Sequence, residues 1–311
     1  MSINNNINRI DVNRYETDIS YRLDVISQLA YNENGLKVSN LIIKKNLGKL
    51  SDKIISNVKR QIDIPLNESL KNYQKQIFNV FPINIPKNFD LLLKLEQLFL
   101  SGFSSEHLFD AIEFPIAVRT AHSELPKEYF NSKYPTDLLH IDIWAGEPSS
   151  ILNALIYLGG DMDTHCVFKN QDPSILKDLF KIDSAESYKQ IHHDYSYLEN
   201  LPNTASPGDM YLFDSYQLHV TKRSNKLNRG RYSLDFRLCT TDPYSYYSKY
   251  KTYEEISKTR YLKYWYLSSS SANSFQKRAE LELQTINDKY GKFCEYYFRE
   301  QSIADMFKLE I

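Results

Sequence analysis

The chain has 311 residues, a formal net charge of −1 and a pI near 6.7, so no overall basic field favours nucleic acid or an anionic membrane surface. Its three cysteines are odd in number and far apart, which excludes a disulfide framework or a cysteine-based zinc site. A polar, Asn-rich start and the lack of a long apolar stretch predict neither a signal peptide nor a transmembrane helix, and we expect a cytoplasmic protein.

The first third of the chain has mainly helical patterns. Apolar residues recur at helical spacing over residues 13–31, after a start of about 12 residues that we expect to be disordered. Further helices are predicted within 39–50, from Ser51 as N-cap to 62, over 67–80, over 89–103 and from Ser104 through 112. We therefore predict a mainly helical N-terminal flank over residues 1–113, packed on the core.

The pattern then changes to short alternating segments, which are typical of strands. Residues 114–122 predict an entering or edge strand, because the segment contains Pro115. Further strands separated by turn-forming residues are predicted over 138–144, 151–158, 164–168, 210–213, 219–221 and 231–239. The polar residues 173–200 predict a short helix and a long insertion.

Helical patterns return after residue 242, over 253–266 and 274–290. Short strands flanked by helices predict an α+β fold, in which residues 114–241 form a β-sandwich or jelly roll and 242–311 form C-terminal helices. Neither flank contains a metal, nucleophile or phosphate-binding pattern. We expect the flanking helices to support the core and to offer a homodimer surface.

The strand predicted over 138–144 organises the chemistry. Because side chains at i and i+2 of a strand share a face, His140 and Asp142 point the same way. They are two thirds of the facial triad that holds non-haem Fe(II), and His219 is the candidate for the third ligand. A lone His-x-Asp pair is more often a core histidine beside an ordinary aspartate, so the metal hypothesis depends on the residues that come after His219.

After His219 a turn precedes the predicted strand 231–239, on which Arg231, Ser233, Asp235 and Arg237 share a face. A buried arginine needs an anion, and its planar fork suits a carboxylate. Arginine with serine two positions later can clamp the distal end of a dicarboxylic acid.

The series His140-x-Asp142, His219 and Arg231-x-Ser233 resembles the Fe(II)- and 2-oxoglutarate-dependent oxygenases. The phytanoyl-CoA hydroxylase-like branch, with bacterial enzymes of aminoglycoside and other natural-product pathways, is the most similar. Residues 140–148 and 208–219 carry this resemblance most strongly, and it extends over about residues 115–238.

The resemblance implies a double-stranded β-helix, that is, a jelly roll with the metal near one open end. It implies Fe(II) on His140, Asp142 and His219, with 2-oxoglutarate chelating the metal and O2 as the other cosubstrate. The distal carboxylate of 2-oxoglutarate is then expected on Arg231 and Ser233. The family's arginine often lies slightly nearer the distal histidine, which leaves Arg229 as a minor rival.

Four other residues are candidates for the pocket. Asn153 lies in an apolar strand and needs a partner, which is either 2-oxoglutarate or, about equally, the backbone. Trp144, Asp235 and Arg237 are predicted to contact substrate. The alternatives are ordinary core for Trp144 and, for Arg237, pairing with Asp235 or with the surroundings of Asp142. Residues 192–195 are typical of a solvated loop that could belong to a lid.

The predicted reaction is oxidation, with hydroxylation as the default outcome, of a small polar metabolite that is sugar-like or amino-acid-derived. It is coupled to decarboxylation of 2-oxoglutarate to succinate. Asp142 argues against a halogenase of the same fold, which replaces this ligand by a small residue. The alternatives left open are a non-catalytic cupin-like binding module and an oxygenase that acts on a protein side chain.

Overall fold

The computed structural model describes residues 7, 10–61, 103–105, 108–109, 111–114, 117–122, 138–142, 149–180, 193–226, 230–240 and 264–267. Along these ranges helices are found mainly before residue 62 and strands mainly after residue 110, and all pairings between named strands are antiparallel. The predicted disordered start lies almost wholly outside them, as do the helices predicted over 67–80 and 274–290 and nearly all of the one predicted over 89–103.

Two consecutive helices, α1 (Val12–Thr17) and α2 (Ile19–Asn32), begin the described chain. Asp18 separates them. Its backbone N–H donates to the carbonyl of Arg14 at the end of α1, and its carboxylate caps α2 by accepting from the N–H of Tyr21. The single helix predicted over 13–31 is therefore two helices.

A hairpin of β1 (Leu36–Ser39) and β2 (Ile42–Asn46) comes next, so the helix predicted within 39–50 is wrong. The sequence of β2 is compatible with either structure, but pairing with a strand far along the chain decides in favour of the strand. Helix α3 (Lys49–Gln61) begins before Ser51, which is therefore not its N-cap.

The larger sheet contains β1, β2 and six further strands: β3 (Ala111–Phe114), β4 (Ala117–His122), β5 (Ile151–Gly160), β7 (Asp209–Asp214), β9 (Gly230–Cys239) and β10 (Tyr264–Leu267). Their order is β1-β2-β7-β5-β9-β3-β10, and β4 also pairs with β9. The predicted strands of β4, β5, β7 and β9 are confirmed. Strand β3 overlaps the helix predicted from Ser104, and β10 overlaps the one predicted over 253–266, so both predictions are wrong there.

The smaller sheet pairs β6 (His165–Phe168) with β8 (His219–Lys222), and both strands were predicted. An isolated bridge joins His140 to His219, and another joins Lys169 to Asn200. The segment 138–142 thus extends this sheet through one bridge and is not the regular strand that the alternation predicted. Helix α4 (Leu176–Leu179) comes after a 3-10 turn over Pro173–Ile175, in the region where a short helix was expected.

Two apolar clusters of described residues pack against the sheets. One lies between them and joins residues of the larger sheet to Cys166 and Phe168 of the smaller sheet; its other members are Ile42, Leu155, Tyr157, Leu201, Tyr211 and Phe213. The second cluster lies on one side of segment 138–142, where Leu139 and Ile141 pack with α4. The alternation predicted for this segment is thereby realised, with His140 and Asp142 on the other side from Leu139 and Ile141. Among the described residues, no helix is long and apolar enough to cross a membrane.

Candidate metal centre

Three buried side chains converge between the smaller sheet and the loop after β7. His140, Asp142 and His219 each offer a ligand atom, and these atoms lie within 4.8 Å of one another. Asp142 Oδ1 is 3.9 Å from the Nε2 atoms of both His140 and His219. The structure thus brings together the three residues that sequence analysis selected as metal ligands.

Both imidazoles are oriented by backbone carbonyls. His140 Nδ1 lies 2.8 Å from the carbonyl oxygen of Leu138, and His219 Nδ1 lies 2.9 Å from that of Gln217. Because a carbonyl oxygen only accepts, each Nδ1 must carry the proton, and in the neutral ring the Nε2 lone pair remains for a metal. The donor set is therefore two imidazole nitrogens and one carboxylate oxygen on one side of a shared space, which fits a divalent iron with open positions.

Backbone hydrogen bonds hold the three ligands in register. The N–H of His140 donates to the carbonyl of His219, and the reverse bond is also formed, each at 3.0 Å. The N–H of Asp142 donates to the carbonyl of Ser215 at 3.3 Å. The ring of His219 also packs edge-on against Phe213, with centroids 5.0 Å apart. Rotation of either histidine would break a bond or a packing contact.

Asp142 faces a cation on its other oxygen. Arg237 Nη2 lies 3.9 Å from Asp142 Oδ2, while Oδ1 faces the two imidazoles. The predicted proximity of Arg237 to Asp142 is therefore present. Because Oδ1 faces the imidazoles and Oδ2 faces Arg237, this arrangement favours metal binding through Oδ1 alone.

A second arginine on the same strand is buried, and no ion pair to it is found among the described residues. Arg231 is 5% exposed, and its Nε and Nη1 have no hydrogen-bond partner among the residues that the structure describes. Its guanidinium lies 5.1 Å from the ring centroid of Tyr157. A buried cation with unused donors is costly unless a ligand satisfies it, so this position suits a carboxylate.

Tyr157 is a neighbour of Arg231 that the sequence analysis did not select. It is fully buried on β5 opposite Ser233, and its hydroxyl accepts from the N–H of Cys166 at 3.1 Å. Burial raises the pKa of the Tyr157 hydroxyl, and the nearby Arg231 only partly opposes this. The phenol is therefore neutral and keeps a proton to donate. Its shared strand parity with Asn153 is the signal that could have found it.

Ser233 and Asp235 interact with each other in this structure. Ser233 Oγ donates to Asp235 Oδ1 at 2.8 Å, and Ser233 is fully buried whereas Asp235 is half-buried. The predicted face of β9 is present, because its pairing with β5 aligns Ser233, Asp235 and Arg237 with alternate residues of that strand. Ser233 can serve a carboxylate at Arg231 only by rotating its hydroxyl away from Asp235.

Asn153 lies at the other end of this face from Arg231. It pairs in register with Arg237, six residues from Arg231, which at 3.3 Å per residue is about 20 Å along β9. Its Nδ2 is buried and has no hydrogen-bond partner among the described residues, so the expected bond from this nitrogen to the backbone is not found. Asn153 is therefore placed near the metal end of the face.

The remaining candidates are less informative. Trp144, Arg229 and His192 lie outside the described residues. His193 is exposed, with its Nδ1 3.1 Å from Asp194 Oδ1, as expected for a solvated loop. Sequence analysis also missed the carbonyls of Leu138, Ser215 and Gln217, because backbone groups leave no residue-type signal.

Comparison with known proteins gives weak similarities only. No family model matches the sequence, and no curated protein matches it. SnoN, a non-heme alpha-ketoglutarate-dependent epimerase from nogalamycin biosynthesis, is 9% identical with a TM-score of 0.39, over 70% of this chain and 83% of that one.

Two further solved structures are similar at the same level. An N-substituted L-amino acid dioxygenase from Burkholderia ambifaria AMMD, in complex with alpha-KG, is 12% identical with a TM-score of 0.37, over 70% of this chain and 88% of that one. AviO1 from Streptomyces viridochromogenes Tue57 is 10% identical with a TM-score of 0.37, over 70% and 95%. Similarities with such TM-scores carry no argument about this chain.

Proposed function

We propose that this chain is an Fe(II)- and 2-oxoglutarate-dependent oxygenase. The observation that carries the proposal is the buried group of His140, Asp142 and His219, in which both Nε2 atoms lie 3.9 Å from the same carboxylate oxygen and both Nδ1 atoms face backbone carbonyls. Two imidazoles and one carboxylate form the donor set of non-haem Fe(II) oxygenases. The resemblance of the sequence motifs to that family supports the same reaction.

The fold that we propose for the core is a double-stranded β-helix. In support, successive segments alternate between the two sheets: β4 is in the larger sheet, His140 bridges to the smaller, β5 returns to the larger, and β6 lies in the smaller. After the bridge at Asn200, strands β7, β8 and β9 alternate in the same way. The candidate ligands lie where segment 138–142 and β8 meet, at the bridge between His140 and His219.

The residues have separate roles in the proposed reaction. His140, Asp142 and His219 hold the iron, which when bound supplies activation of O2 and oxidative decarboxylation of 2-oxoglutarate to succinate and CO2. Arg231 receives the distal carboxylate, and the neighbouring Tyr157, whose ring lies 5.1 Å from the Arg231 guanidinium, is the proposed second donor to the same group. Arg237 holds the second oxygen of Asp142, so that the carboxylate stays a single-oxygen ligand.

The register of β5 and β9 refines the role of Asn153. Asn153 pairs with Arg237, about 20 Å along β9 from Arg231, and one 2-oxoglutarate is too short to bridge these two backbone positions. The proposed contact of Asn153 with the 2-oxo acid end, near the metal, therefore requires the long Arg231 side chain to extend along the face toward the metal. Ser233 remains the proposed second contact of the distal carboxylate. Asp235 and Arg237 remain the proposed polar contacts of a substrate.

The proposed substrate is a small polar metabolite that is sugar-like or amino-acid-derived, and hydroxylation is the proposed outcome. Support comes from charged groups of both signs on one face of β9, where Arg237 is buried and Asp235 half-buried. A compact molecule with hydroxyl or amino groups can satisfy both. The proposed homodimer surface rests on the flanking helices, and residues 242–311 are described only over β10, which is a strand.

The test is iron-dependent turnover. Purified protein with Fe(II), ascorbate and 2-oxoglutarate should release succinate, and addition of a metabolite extract should accelerate release and yield a species heavier by one oxygen atom. Binding of metal and 2-oxoglutarate without succinate would instead support the cupin-like module. Oxygen gain only on a protein side chain would contradict the metabolite proposal.

A further inference from the structure

The loop between β7 and β8, residues 215–218, touches two of the three candidate ligands through its backbone. The carbonyl of Ser215 accepts from the N–H of Asp142, and the carbonyl of Gln217 accepts from Nδ1 of His219. His219 itself comes directly after the loop. Any shift of this loop would therefore move a carboxylate ligand and turn an imidazole ligand.

A fully buried arginine from the N-terminal helices holds the start of this loop. Arg22 of α2 donates through Nη1 to both oxygens of Asp214, at 2.8 and 2.7 Å. Its Nη2 donates to the carbonyl of Ser149 at 2.9 Å, and its Nε donates to the carbonyl of Tyr15, also at 2.9 Å. Arg22 and Asp214 are both 0% exposed, so this ion pair is screened from water.

Asp214 passes this restraint to the loop. Its Oδ1 accepts from the N–H of Tyr216 at 2.9 Å, and its Oδ2 accepts from the hydroxyl of Tyr15 at 2.7 Å. The ring of Tyr216 lies against the guanidinium of Arg22, with 4.9 Å between the Cζ atom and the ring centroid. Ser215, between Asp214 and Tyr216, is thus held with its carbonyl facing Asp142.

The other side of the loop is held separately. Gln171 Oε1 accepts from the N–H of Leu218 at 2.7 Å, and Gln171 Nε2 donates to the carbonyl of Tyr216 at 3.1 Å. The loop therefore has two restraints, one from α2 and one from the segment after β6, and both act on Tyr216. The hydrogen bonds of Gln171 do not involve the side chains of Arg22 or Asp214.

From these contacts we infer that Arg22 is a positioning residue of the metal site, which acts through Asp214 and the carbonyls of Ser215 and Gln217. The helical flank would then take part in metal binding as well as covering the sheets. This inference rests on the metal site of the proposed function, but it does not depend on 2-oxoglutarate or on any substrate. Groups that orient metal ligands commonly change metal affinity by about 10–100-fold when removed.

The test measures Co(II) binding to the full chain by its visible absorption, with folding followed separately by circular dichroism. Removal of Arg22 alone would leave a buried charge, so the main variant is Arg22→Gln with Asp214→Asn, which removes both charges together. We expect its Co(II) dissociation constant to rise by about tenfold or more, with an altered absorption spectrum, at a temperature where it is folded. Arg22→Lys, which keeps the charge but not the fork, should lie between this variant and the wild type.

The matched control is Lys45→Met. It removes the ion pair between Lys45 and Glu33, 2.8 Å long, at the far end of α2. This variant should lose stability yet bind Co(II) within about twofold of the wild type, because distant sites act independently.

The outcomes separate the two proposals. Wild-type protein that binds no Co(II) would overturn both the metal site and this inference. Wild-type binding together with an unchanged dissociation constant and spectrum in the folded double variant would overturn this inference alone. An equal loss of affinity in Lys45→Met would also overturn it, because the effect would then follow helix stability.

Discussion

Replacement of Arg231 by methionine should selectively weaken the binding of 2-oxoglutarate. Arg231 is already desolvated in the free protein, with Nε and Nη1 unpartnered among the described residues, so little of its desolvation cost falls on binding. Loss of one partner from a buried, hydrogen-bonded charge pair costs about 2–5 kcal/mol. We expect the binding free energy of 2-oxoglutarate to fall by about 3 kcal/mol, which raises its dissociation constant roughly 100-fold.

The same substitution should change the stability of the free protein little. It removes a contact with the Tyr157 ring that is worth about 0.5–2 kcal/mol. It also removes buried donors whose lack of partners costs about 1–3 kcal/mol. The two effects have opposite signs and similar size, so the melting temperature of the ligand-free protein should hardly change. In contrast, 2-oxoglutarate should no longer raise the melting temperature of the variant.

The assay is calorimetric titration of Mn(II)-loaded protein with 2-oxoglutarate and, in parallel, with 2-oxobutyrate, which lacks the distal carboxylate. Wild-type protein should strongly prefer 2-oxoglutarate, and Arg231→Met should lose most of that preference while it binds 2-oxobutyrate normally. Arg231→Lys should keep part of it. If Arg237→Met abolishes the preference and Arg231→Met keeps it, the assignment of the arginine is wrong.

Three further substitutions test other parts of the site. His219→Ala should abolish Co(II) binding, since one of the three ligand atoms is lost; tight binding by this variant would remove His219 from the ligand set. Asn153→Val should weaken the binding of 2-oxoglutarate and of 2-oxobutyrate alike, by about 0.5–1.5 kcal/mol for one hydrogen bond. A loss of affinity confined to 2-oxoglutarate would instead place Asn153 at the distal carboxylate. Gly160→Ala should lower the free energy of unfolding by at least about 1–3 kcal/mol. The reason is that Gly160 has φ of +90° and a Cβ there would collide with the carbonyl oxygen of Gly230; a melting temperature equal to that of the wild type would contradict it.

The candidate site could be predicted largely because it depends on residue types at short spacing. Alternation places His140 and Asp142 on one side of their segment and Leu139 and Ile141 on the other, even though the segment has only one β bridge. Proximity of His219 to this pair required a guess about strand order, and the bridge between His140 and His219 confirms it. Their role as iron ligands stays a proposal.

The parts that sequence missed depend on contacts between distant segments. Strand β2 forms because it pairs with β7; for example, Lys45 pairs with Met210, more than 160 residues later in the chain. No local sequence pattern contains this information. Arg22 looks like an ordinary exposed residue of an amphipathic helix, yet it is fully buried on Asp214. Propensity and periodicity describe neighbours in sequence, whereas these residues are determined by partners in space.

The hairpin of β1 and β2 has a practical consequence for any attempt to isolate the core. Strand β2 covers the outer edge of β7 through five register pairs, from Ile42 with Phe213 to Asn46 with Asp209. A fragment starting at residue 114 would leave that row of N–H and C=O groups open on a strand whose residues are all buried in the intact chain. Open, apolar strand edges recruit other strands, so such a fragment should aggregate, whereas one that retains residues 10–61 keeps its edge closed.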